Sequence, residues 1–424
     1  MRLARCLSTC ASTVTLTVCV AFSADAQTPD TIRQQVARER APLLDTLRDL
    51  VNIESGSSDY EGVTRIGQLI GQRLRALGGE VEFVPSAADM PRFENTPAKI
   101  ADSVVARFRG RGTARILLLA HMDTVYERGM LAKQPFRIDG DKAFGLGIAD
   151  DKHGVAVILH TLSTLKAIGF DRYGLITVLI SPDEEIASPA ERELITATAA
   201  QHDITFSCEG AGQDDHISLA TTGIELAILT VTGRASHAGQ APEAGRNALY
   251  ELSHQLLQLR DLSNAATGVK VNWTVSKAGS VPNAIPEHAQ AIADMRANRM
   301  DDFKGVQEEI RRRIRNTLIP DTTVEVRFEE YFPPLPVREQ SMRAAEQARR
   351  IYGEIGLTLK VATESSGGGT DAAFAAMRTQ APVLEHFGLK NFGAHSNNAE
   401  YVEISSIEPR LYLLTRMVME SSSR

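Results

Sequence analysis

Apolar runs without the alternation of a half-exposed strand recur along the chain, and helical patterns stand between them. Residues 103–108, 115–120 and 175–180 are such runs, and apolar residues at helical spacing cover 153–166. Strands that are apolar on both faces are covered by helices on both sides, which is typical of parallel sheets. The sequence therefore predicts an α/β fold with a mostly parallel sheet. Further helices are predicted over 30–53, 60–77, 341–355 and 405–419.

The pattern changes between residues 223 and 332, where strands and helices follow the order β-α-β-β-α-β. The strands are predicted at 224–232, 271–276, 289–297 and 323–328, and the helices at 247–259 and 301–315. This order is the ferredoxin-like plan. Because the α/β character resumes afterwards, we predict one α/β catalytic domain in two parts, 27–221 and 333–424, with a ferredoxin-like α+β domain inserted at 222–332.

The first residues have the features of a targeting segment. Two arginines precede an apolar stretch at 10–22, and residues 24–26 read Ala-Asp-Ala. This order is typical of a secretory signal peptide, here over residues 1–26. Threonines interrupt the stretch, which is shorter than the ~20 residues of a membrane-spanning helix. A lipid anchor on Cys19 would need a small residue in place of Val18. We therefore predict secretion into the periplasm without a membrane anchor.

The composition excludes one class of partner. The formal net charge is -7, and aromatic residues make up 5% of the chain. Proteins that bind nucleic acids need cations for the phosphates and aromatic rings for the bases, so no nucleic acid is expected as a partner. After removal of the signal peptide, Cys208 is the only cysteine, so no internal disulfide can form.

A histidine and an aspartate stand two residues apart at the end of one apolar run. His121 and Asp123 follow the run at 115–120. Because side chains alternate along a strand, both are expected on the same face. The aspartate could then accept the ring N–H of a metal-binding histidine and set its tautomer. Two polar residues facing solvent at a strand end are the alternative, and this pair alone does not decide between them.

Residues 145–152 read Gly-Leu-Gly-Ile-Ala-Asp-Asp-Lys, which is close to the start of a dinucleotide-binding loop. The third glycine of such a loop is replaced by Asp150, whose charge would repel a pyrophosphate. We therefore reject that interpretation. Asp150 follows a tight glycine turn, so it is expected either to cap a helix or to project from a rigid loop as an oxygen ligand for a metal.

Carboxylates follow two further apolar runs. Residues 183–185 read Asp-Glu-Glu after one run, and Glu209 follows another. Like charges so close together raise one another's pKa unless a cation lies between them. Taken singly, solvated acidic turns are common. The carboxyl ends of parallel strands share one edge of the sheet, however, so these residues together with His121 and Asp150 predict a metal site there.

One more histidine, His395, stands in a glycine-containing loop before the last helix. A mixed set of histidines and carboxylates suits a pair of Zn²⁺ ions better than Mg²⁺ or Ca²⁺, which prefer oxygen ligands. Mn²⁺ or Co²⁺ fits the same ligand types. The chain has no G-x-S-x-G motif, so a serine-hydrolase interpretation has no nucleophile.

Together these segments resemble the metallopeptidase family that contains glutamate carboxypeptidase, aminoacylase and related dipeptidases, and within it the secreted glutamate carboxypeptidases of the carboxypeptidase G type. The resemblance covers essentially the whole chain after residue 26. It rests on residues 121–123, 145–152, 183–185, 209, 235–239, 282–286, 294–296, 367–372 and 395–396.

The resemblance implies two zinc ions and five metal ligands. These ligands are His121, Asp150, Glu185, Glu209 and His395. Asp150 would bridge the ions, and His121 and Glu209 would bind different ions, each completed by one of the other two ligands. Asp123 would orient His121. Glu184 would be the general base that takes a proton from water, which leaves a hydroxide held between the ions. The residue pattern alone does not distinguish Glu184 from Glu185.

The same resemblance implies a set of substrate-binding residues. They are His237, Asn283, Arg296, Gly369 and Thr370. His237 and Asn283 would lie near the substrate carbonyl, and Arg296 near its C-terminal carboxylate. The loop at 367–370 is predicted to open a helix at 371–377, whose N-terminus would favour a carboxylate. The inserted domain would form a homodimer in which His237 acts on the metal site of the partner subunit.

The resemblance finally implies a hydrolase that removes a C-terminal amino acid from small peptides or N-acyl amino acids. An aminopeptidase or dipeptidase of the same fold is the alternative. A peptide-binding protein without catalysis would lack a ligand or the base, and all six are present. Members selective for glutamate carry basic residues near the positions of His216 and Phe332, so a neutral or apolar C-terminal residue is expected here. His153 stands where the family has glycine, and no role is predicted for it.

Overall fold

The computed structural model describes residues 28–396 and 399–423, so the predicted signal peptide at 1–26 lies outside the described residues. Within the described chain, no helix has both the length and the apolar character needed to cross a membrane. The α-helices are α1 (Pro29–Val51), α2 (Tyr60–Leu77), α3 (His153–Ala167), α4 (Arg192–Ala199), α5 (Ala248–Gln258), α6 (Met300–Arg313), α7 (Glu339–Gly353), α8 (Ala372–Ala375) and α9 (Ile407–Ser421). The strands are β1 (Glu80–Val84), β2 (Ser103–Arg109), β3 (Arg115–His121), β4 (Arg137–Asp139), β5 (Lys142–Phe144), β6 (Leu175–Ser181), β7 (Ile204–Ser207), β8 (His216–Ser218), β9 (Gly223–Thr232), β10 (Ser236–His237), β11 (Lys270–Ala278), β12 (Ala284–Ile285), β13 (His288–Ala297), β14 (Thr323–Phe332), β15 (Lys360–Ala362), β16 (Val383–Leu384), β17 (Asn391–Phe392) and β18 (Tyr401–Glu403).

The central sheet has six strands in the order β1-β2-β6-β3-β7-β16. Strand β3 pairs in parallel with both β6 and β7, and β16 pairs in parallel with β7. Only β2 runs against its neighbours. All seven residues of β6 are buried, as the apolar run without alternation predicted. The prediction of a mostly parallel sheet in an α/β fold is confirmed.

Helices cover both faces of this sheet. On one face α1, α3 and α9 contact one another, and α2 packs against β2. The apolar stripe predicted for α2 faces the core through Val63, Ile66, Ile70 and Leu74. On the other face, α4 and α8 contact each other and bury Ile195 and Phe374 against the sheet. Burial on both faces explains why apolar and polar residues do not alternate along these strands.

Residues 223–332 form the inserted domain, with an antiparallel sheet in the order β11-β13-β9-β14. Helices α5 and α6 pack on this sheet, and their buried residues join its core. The β-α-β-β-α-β order and the position of the first strand between the third and the fourth are those of the ferredoxin-like plan. The chain re-enters the larger domain after β14, so the domain is an insertion rather than an appended unit.

The carboxyl ends of three strands meet at one edge of the central sheet. His121 at the end of β3 lies opposite Ser181 at the end of β6, and Leu119 lies opposite Ser207 at the end of β7. The segments that follow these strands are therefore neighbours. A second, small sheet of β17, β18, β5 and β4 brings the loop after β5 and the loop before β18 to the same place.

Candidate metal centre

His121 ends β3 and is buried, with its two ring nitrogens in different surroundings. Nδ1 lies 3.1 Å from the carbonyl oxygen of Asp123 and 3.3 Å from its Oδ1, so it is the nitrogen placed to carry the hydrogen. The same carboxylate accepts the backbone N–H groups of Glu184 and Glu185 at 3.0 and 3.2 Å. Asp123 therefore ties the His121 ring to the acidic turn that follows β6.

Asp150 does not belong to a helix. Its backbone is extended, with φ of -162° and ψ of 94°, and α3 begins only at His153. The alternative that Asp150 caps a helix is therefore wrong. The extended conformation projects the carboxylate from the loop instead of turning it towards a helix N-terminus, so capping does not explain this residue.

The two oxygens of Asp150 face two different histidines. Oδ1 lies 2.9 Å from Nε2 of His121, and Oδ2 lies 3.1 Å from Nε2 of His395. Glu209 Oε1 lies 3.3 Å from Nε2 of His121, and Glu185 Oε2 lies 2.9 Å from Nε2 of His395. The structure thus forms two groups of potential ligands that share Asp150: one with His121 and Glu209, the other with Glu185 and His395.

This grouping corrects one implication of the resemblance. His121 and Glu209 were expected on different ions, but they lie together in one group. The sheet order permits this grouping, because β3, which ends in His121, lies next to β7, which precedes Glu209. The distance of 3.3 Å between Nε2 of His121 and Oε1 of Glu209 decides it. All five residues predicted as ligands belong to these two groups, with Asp150 in both.

Glu184 lies beside the first group but belongs to neither. Its Oε2 is 4.0 Å from Nε2 of His121. Its side chain is buried, and burial raises the pKa of this carboxyl well above its usual value. The distance and the free carboxylate distinguish Glu184 from Glu185, which the residue pattern alone did not separate.

The charges of the two groups are strongly coupled. Burial, and then the charge of Asp150, raises the pKa of Glu185 to about 8, and the same two causes raise the pKa of Glu209. Hydrogen bonds to Asp150 and Glu185 raise the pKa of His395 to about 10. Burial opposes the protonation of His121, but the charge of Glu209 together with the hydrogen bonds to Asp123, Asp150 and Glu209 outweighs it and raises the pKa of that ring. Each histidine therefore faces two oxygens that attract a positive charge.

The donor atoms fit a pair of divalent cations. With its hydrogen on Nδ1, His121 directs the lone pair of Nε2 at two carboxylate oxygens, and two acceptors in such contact need a proton or a cation between them. Oε1 of Glu185 is buried without a hydrogen-bond partner among the described residues. One imidazole and two carboxylates per group suit Zn²⁺, Mn²⁺ or Co²⁺.

The structure places some of the predicted substrate-binding residues together. Nη1 of Arg296 donates to the carbonyl oxygen of Gly367 at 2.7 Å, and Asp294 holds the other side of the guanidinium. The hydroxyl of Thr370 donates to Oε2 of Glu385 at 3.1 Å. Gly369 packs so closely on Ile224 and Phe332 that an added Cβ would meet Ile224 at 2.8 Å. Arg296 and the glycine loop therefore share one site.

His237 and Asn283 form a second pair, on the inserted domain. β10 and β12 pair so that His237 lies opposite Ala284, and the N–H of Ala238 donates to the carbonyl oxygen of Asn283. His237 is exposed. In the described part of the chain, neither residue has a hydrogen bond or ion pair with the five potential ligands.

The helix predicted at 371–377 is shorter than expected. Only Ala372–Ala375 is helical, and Asp371 occupies the cap position with its own carboxyl buried. A single turn whose N-terminus already carries an acid offers little to a substrate carboxylate. This part of the sequence-based expectation is wrong, because a run of small residues fits a tight turn as well as a helix.

One residue that the sequence analysis missed anchors the loop of Asp150. Glu400, just before β18, accepts the backbone N–H groups of Gly147 at 3.0 Å and Ala149 at 2.7 Å, and it accepts the hydroxyl of Tyr126 as well. Three donors converge on this one buried carboxylate. Glu400 therefore fixes the backbone next to Asp150. No pattern in the sequence marks it, because a glutamate before a short strand is normally solvated.

Replacement of this anchor should loosen the metal centre. In Glu400→Gln the amide NH₂ would face a backbone N–H, so at least one of the three donors loses its acceptor. We expect the affinity for Zn²⁺, measured by competition with a chromogenic chelator, to fall about 10–100-fold. Glu403→Gln, at the end of β18 and paired with Lys390, is the control. Equal affinity in both variants would contradict the positioning role of Glu400.

Known proteins are similar to this chain along most of its length. The chain matches the peptidase family M20/M25/M40 over residues 117–420. It is 42% identical over 415 residues to carboxypeptidase G2 of Pseudomonas sp. (strain RS-16), an alignment that covers 97% of each chain. It is 27% identical over 387 residues to succinyl-diaminopimelate desuccinylase of Gluconacetobacter diazotrophicus, which covers 86% of this chain and 93% of that one.

Solved structures share the fold at low sequence identity. An M20 family metallo-carboxypeptidase from Sulfolobus solfataricus matches with a TM-score of 0.71 and 15% identity over 90% of this chain and 99% of that chain. A tripeptidase from Staphylococcus aureus matches with a TM-score of 0.74 and 18% identity over 91% of this chain and 99% of that chain. The matched family spans most of the chain, and the full-length relative extends the match to nearly all of it. The chain therefore belongs to peptidase family M20/M25/M40.

Proposed function

We propose that the protein is a secreted dizinc enzyme that removes the C-terminal amino acid from small peptides or N-acyl amino acids. Membership of the family makes it a metal-dependent carboxypeptidase or amidohydrolase. The observation that supports two metal ions and a separate base is the position of Asp150, which directs one oxygen at each of two groups of ligands. Glu184 lies beside the first group and belongs to neither.

The residues of the site can divide the reaction between them. Two divalent cations held by the five ligands would polarise the scissile carbonyl and lower the pKa of a nearby water. Glu184 takes a proton from the attacking water as the water oxygen bonds to the carbonyl carbon of the substrate. It then gives that proton to the nitrogen as the C–N bond breaks. Asp123 contacts the His121 ring and accepts the backbone N–H of Glu184. The potential metal ligand His121 and the base Glu184 are therefore held in fixed positions relative to each other.

Substrate orientation is assigned to the inserted domain and the glycine loop. We propose that Arg296, with Gly369 and Thr370, receives the C-terminal carboxylate. His237 and Asn283 are assigned to the scissile carbonyl. Nδ1 of His237 accepts the backbone N–H groups of Gly239 and Gln240, both at 3.1 Å, which leaves the hydrogen on Nε2 and makes it a donor for a carbonyl oxygen.

We propose a neutral or apolar C-terminal residue rather than glutamate. A pocket for a second carboxylate needs a free Arg or Lys. His216 instead stacks against His386 with 4.9 Å between the ring centroids, and burial lowers its pKa. Phe332 packs on Phe374 at 5.5 Å. Neither position offers a cation for a glutamate side chain.

A hydrolysis panel tests this function. One series varies the C-terminal residue of N-acetyl amino acids among leucine, phenylalanine, alanine and glutamate. A second series compares one dipeptide with its N-terminus or its C-terminus blocked. We expect release of the C-terminal residue from the N-blocked substrates, with leucine or phenylalanine ahead of glutamate. Hydrolysis of only the C-blocked dipeptide would establish an aminopeptidase and contradict the proposal, as would inactivity on all substrates.

The proposed location is the periplasm. The support is the order of charged, apolar and small residues over 1–26, which is typical of a signal peptide. A mature N-terminus close to residue 27, read by mass spectrometry on protein from the native host, is the expected result.

We also propose a homodimer through the inserted domain. Leu249, Tyr250 and Leu257 on α5 are 42%, 62% and 62% exposed, and Tyr250 and Leu257 lie about two turns apart on one side of the helix. Contiguous exposed apolar residues favour a covering partner. A second copy of this chain would cover them and bring His237 to the partner subunit's metal site.

Complementation between two inactive variants tests the action of His237 across the dimer. His237→Ala and Glu184→Gln are each expected to be inactive. Coexpressed in equal amounts they should form mixed dimers in which one of the two sites is intact, which restores about a quarter of the wild-type activity. No recovery, although purification through two different affinity tags shows mixed dimers, would place His237 in its own subunit's site.

A further inference from the structure

A cavity of about 720 Å³ opens beside the second group of ligands. Its wall is formed by the loop before α2, the segment after β3, and the turn after β6, which contributes Glu185. The two loops are joined, because the N–H of Ser57 donates to the carbonyl oxygen of Thr124 and the N–H of Thr124 donates to that of Ser55. The cavity is therefore a built feature of the larger domain, next to the potential metal ligands.

The position of the cavity assigns it to one end of the substrate. Arg296 and the glycine loop lie on the other side, where Thr370 is bonded to Glu385 and, three residues further on, the N–H of Gly388 donates to the carbonyl oxygen of Glu209 at 2.9 Å. Glu209 belongs to the first group, whereas Glu185 belongs to the second. If the C-terminal residue occupies the Arg296 side, as the proposed function requires, the cavity receives the acyl part.

The cation of this cavity is already paired. Among the described lining residues, Arg128 is the sole Lys or Arg. Its Nε donates to Asp59 at 2.9 Å, and its Nη2 donates to Asp59 and Glu61. Asp59 is itself held as the cap of α2. A carboxylate on the acyl group would have to compete with two acids for this guanidinium.

Apart from Gly56 and the uncharged polar residues Ser57, Ser58 and Thr124, the rest of the wall is apolar or acidic. Tyr60, Val125, Tyr126 and Ile186 contribute apolar surface, and Glu127 is an exposed acid with no ion pair in the described chain. Lys99 lies over the ring of Tyr60 at 5.7 Å but does not line the cavity. An apolar group gains from this wall, whereas an anionic group meets Glu127 and finds no free cation.

We infer that this cavity is the acyl subsite and that it selects neutral, apolar acyl groups against acyl groups that carry a carboxylate. The inference rests on the proposed function and adds the class of acyl group. It separates this chain from its relatives named as succinyl-diaminopimelate desuccinylases, whose names specify an anionic acyl group.

A matched pair of substrates tests the inference. N-(4-methylpentanoyl)-L-leucine and N-succinyl-L-leucine have acyl groups of similar shape, and only the second carries a charge. For the zinc-loaded full chain we expect kcat/KM at least about 10-fold higher for the neutral substrate, with a ratio that shrinks as ionic strength rises. A ratio near one, or in favour of succinyl, would overturn the inference alone. Hydrolysis of neither substrate would overturn the proposed function as well.

A charge reversal in the wall makes the test specific to the cavity. Glu127→Lys supplies a free cation at an exposed position, so we expect the ratio of kcat/KM for the succinyl substrate to kcat/KM for the neutral substrate to rise about five-fold. Glu308→Lys, exposed on α6 outside the cavity, is the control and should change neither value. An unchanged ratio in Glu127→Lys, with folding confirmed by circular dichroism, would show that the acyl group lies elsewhere.

Discussion

Glu184→Gln is expected to lower kcat by about 10³–10⁴-fold while the protein keeps both metal ions. Gln has the shape of Glu but cannot accept the proton of the attacking water. Because Oε2 of Glu184 lies 4.0 Å from Nε2 of His121 and belongs to neither group of ligands, its replacement should leave the metal content unchanged. The measurement is steady-state kinetics together with metal analysis by mass spectrometry.

Two further variants separate this role from others. Glu193→Gln, the same change on the exposed surface of α4, should retain wild-type activity. Glu185→Gln removes a ligand instead of the base, so it should lose metal from the second group. Substantial activity in Glu184→Gln with both ions present would remove Glu184 as the general base.

Removal of the metals is expected to abolish hydrolysis. Dialysis against a chelator should lower activity more than about 10³-fold, since both the polarised carbonyl and the acidified water are lost. About two equivalents of Zn²⁺ per chain should restore it, and Mn²⁺ or Co²⁺ should restore part or all of it. One equivalent that restores full activity would contradict a mechanism that needs two ions.

Stability gives a second readout of the same removal. Burial and the charge of Asp150 raise the pKa of Glu185 and of Glu209, so without a cation the site is costly at neutral pH. A ligand that binds only the folded state stabilises it by about 4 kcal/mol at a concentration 1,000 times its Kd. We therefore expect Tm to fall by several degrees in the apo protein and to recover with zinc. An unchanged Tm would indicate that the buried acids are compensated in another way.

The sequence predicted the architecture well where the physical signal was local. The apolar run of β6 is buried along its whole length, so the absence of alternation indicated its place in the sheet. The stripe of α2 likewise predicted which face is buried. The α8 region shows the limit, because its small residues fit both a helix and a tight turn.

The grouping of the ligands could not be read from chain order. β3 lies between β6 and β7, so His121 is adjacent to the segments that follow both strands. Only the observed distances to Asp150 and Glu209 decide which ligands it joins. Glu400 illustrates the same limit, since its three donors come from segments about 250 residues or more away along the chain.

His153 has a structural explanation that the sequence did not provide. It is fully buried at the start of α3, and burial lowers its pKa to about 3, so the ring is neutral. Gly388 approaches it so closely that an added Cβ would lie 2.4 Å from Nε2. The ring therefore fills space behind the Asp150 loop, and its lack of a hydrogen-bond partner among the described residues argues against a catalytic role.

The central claim is that one aspartate is shared by two metal ions. A crystal structure of the zinc-loaded protein, with anomalous data collected on both sides of the zinc edge, tests it most directly. We predict two anomalous peaks about 3.5–4 Å apart, one contacted by His121 and Glu209, the other by Glu185 and His395, with Asp150 between them. A single peak, or two peaks that do not share Asp150, would contradict the account.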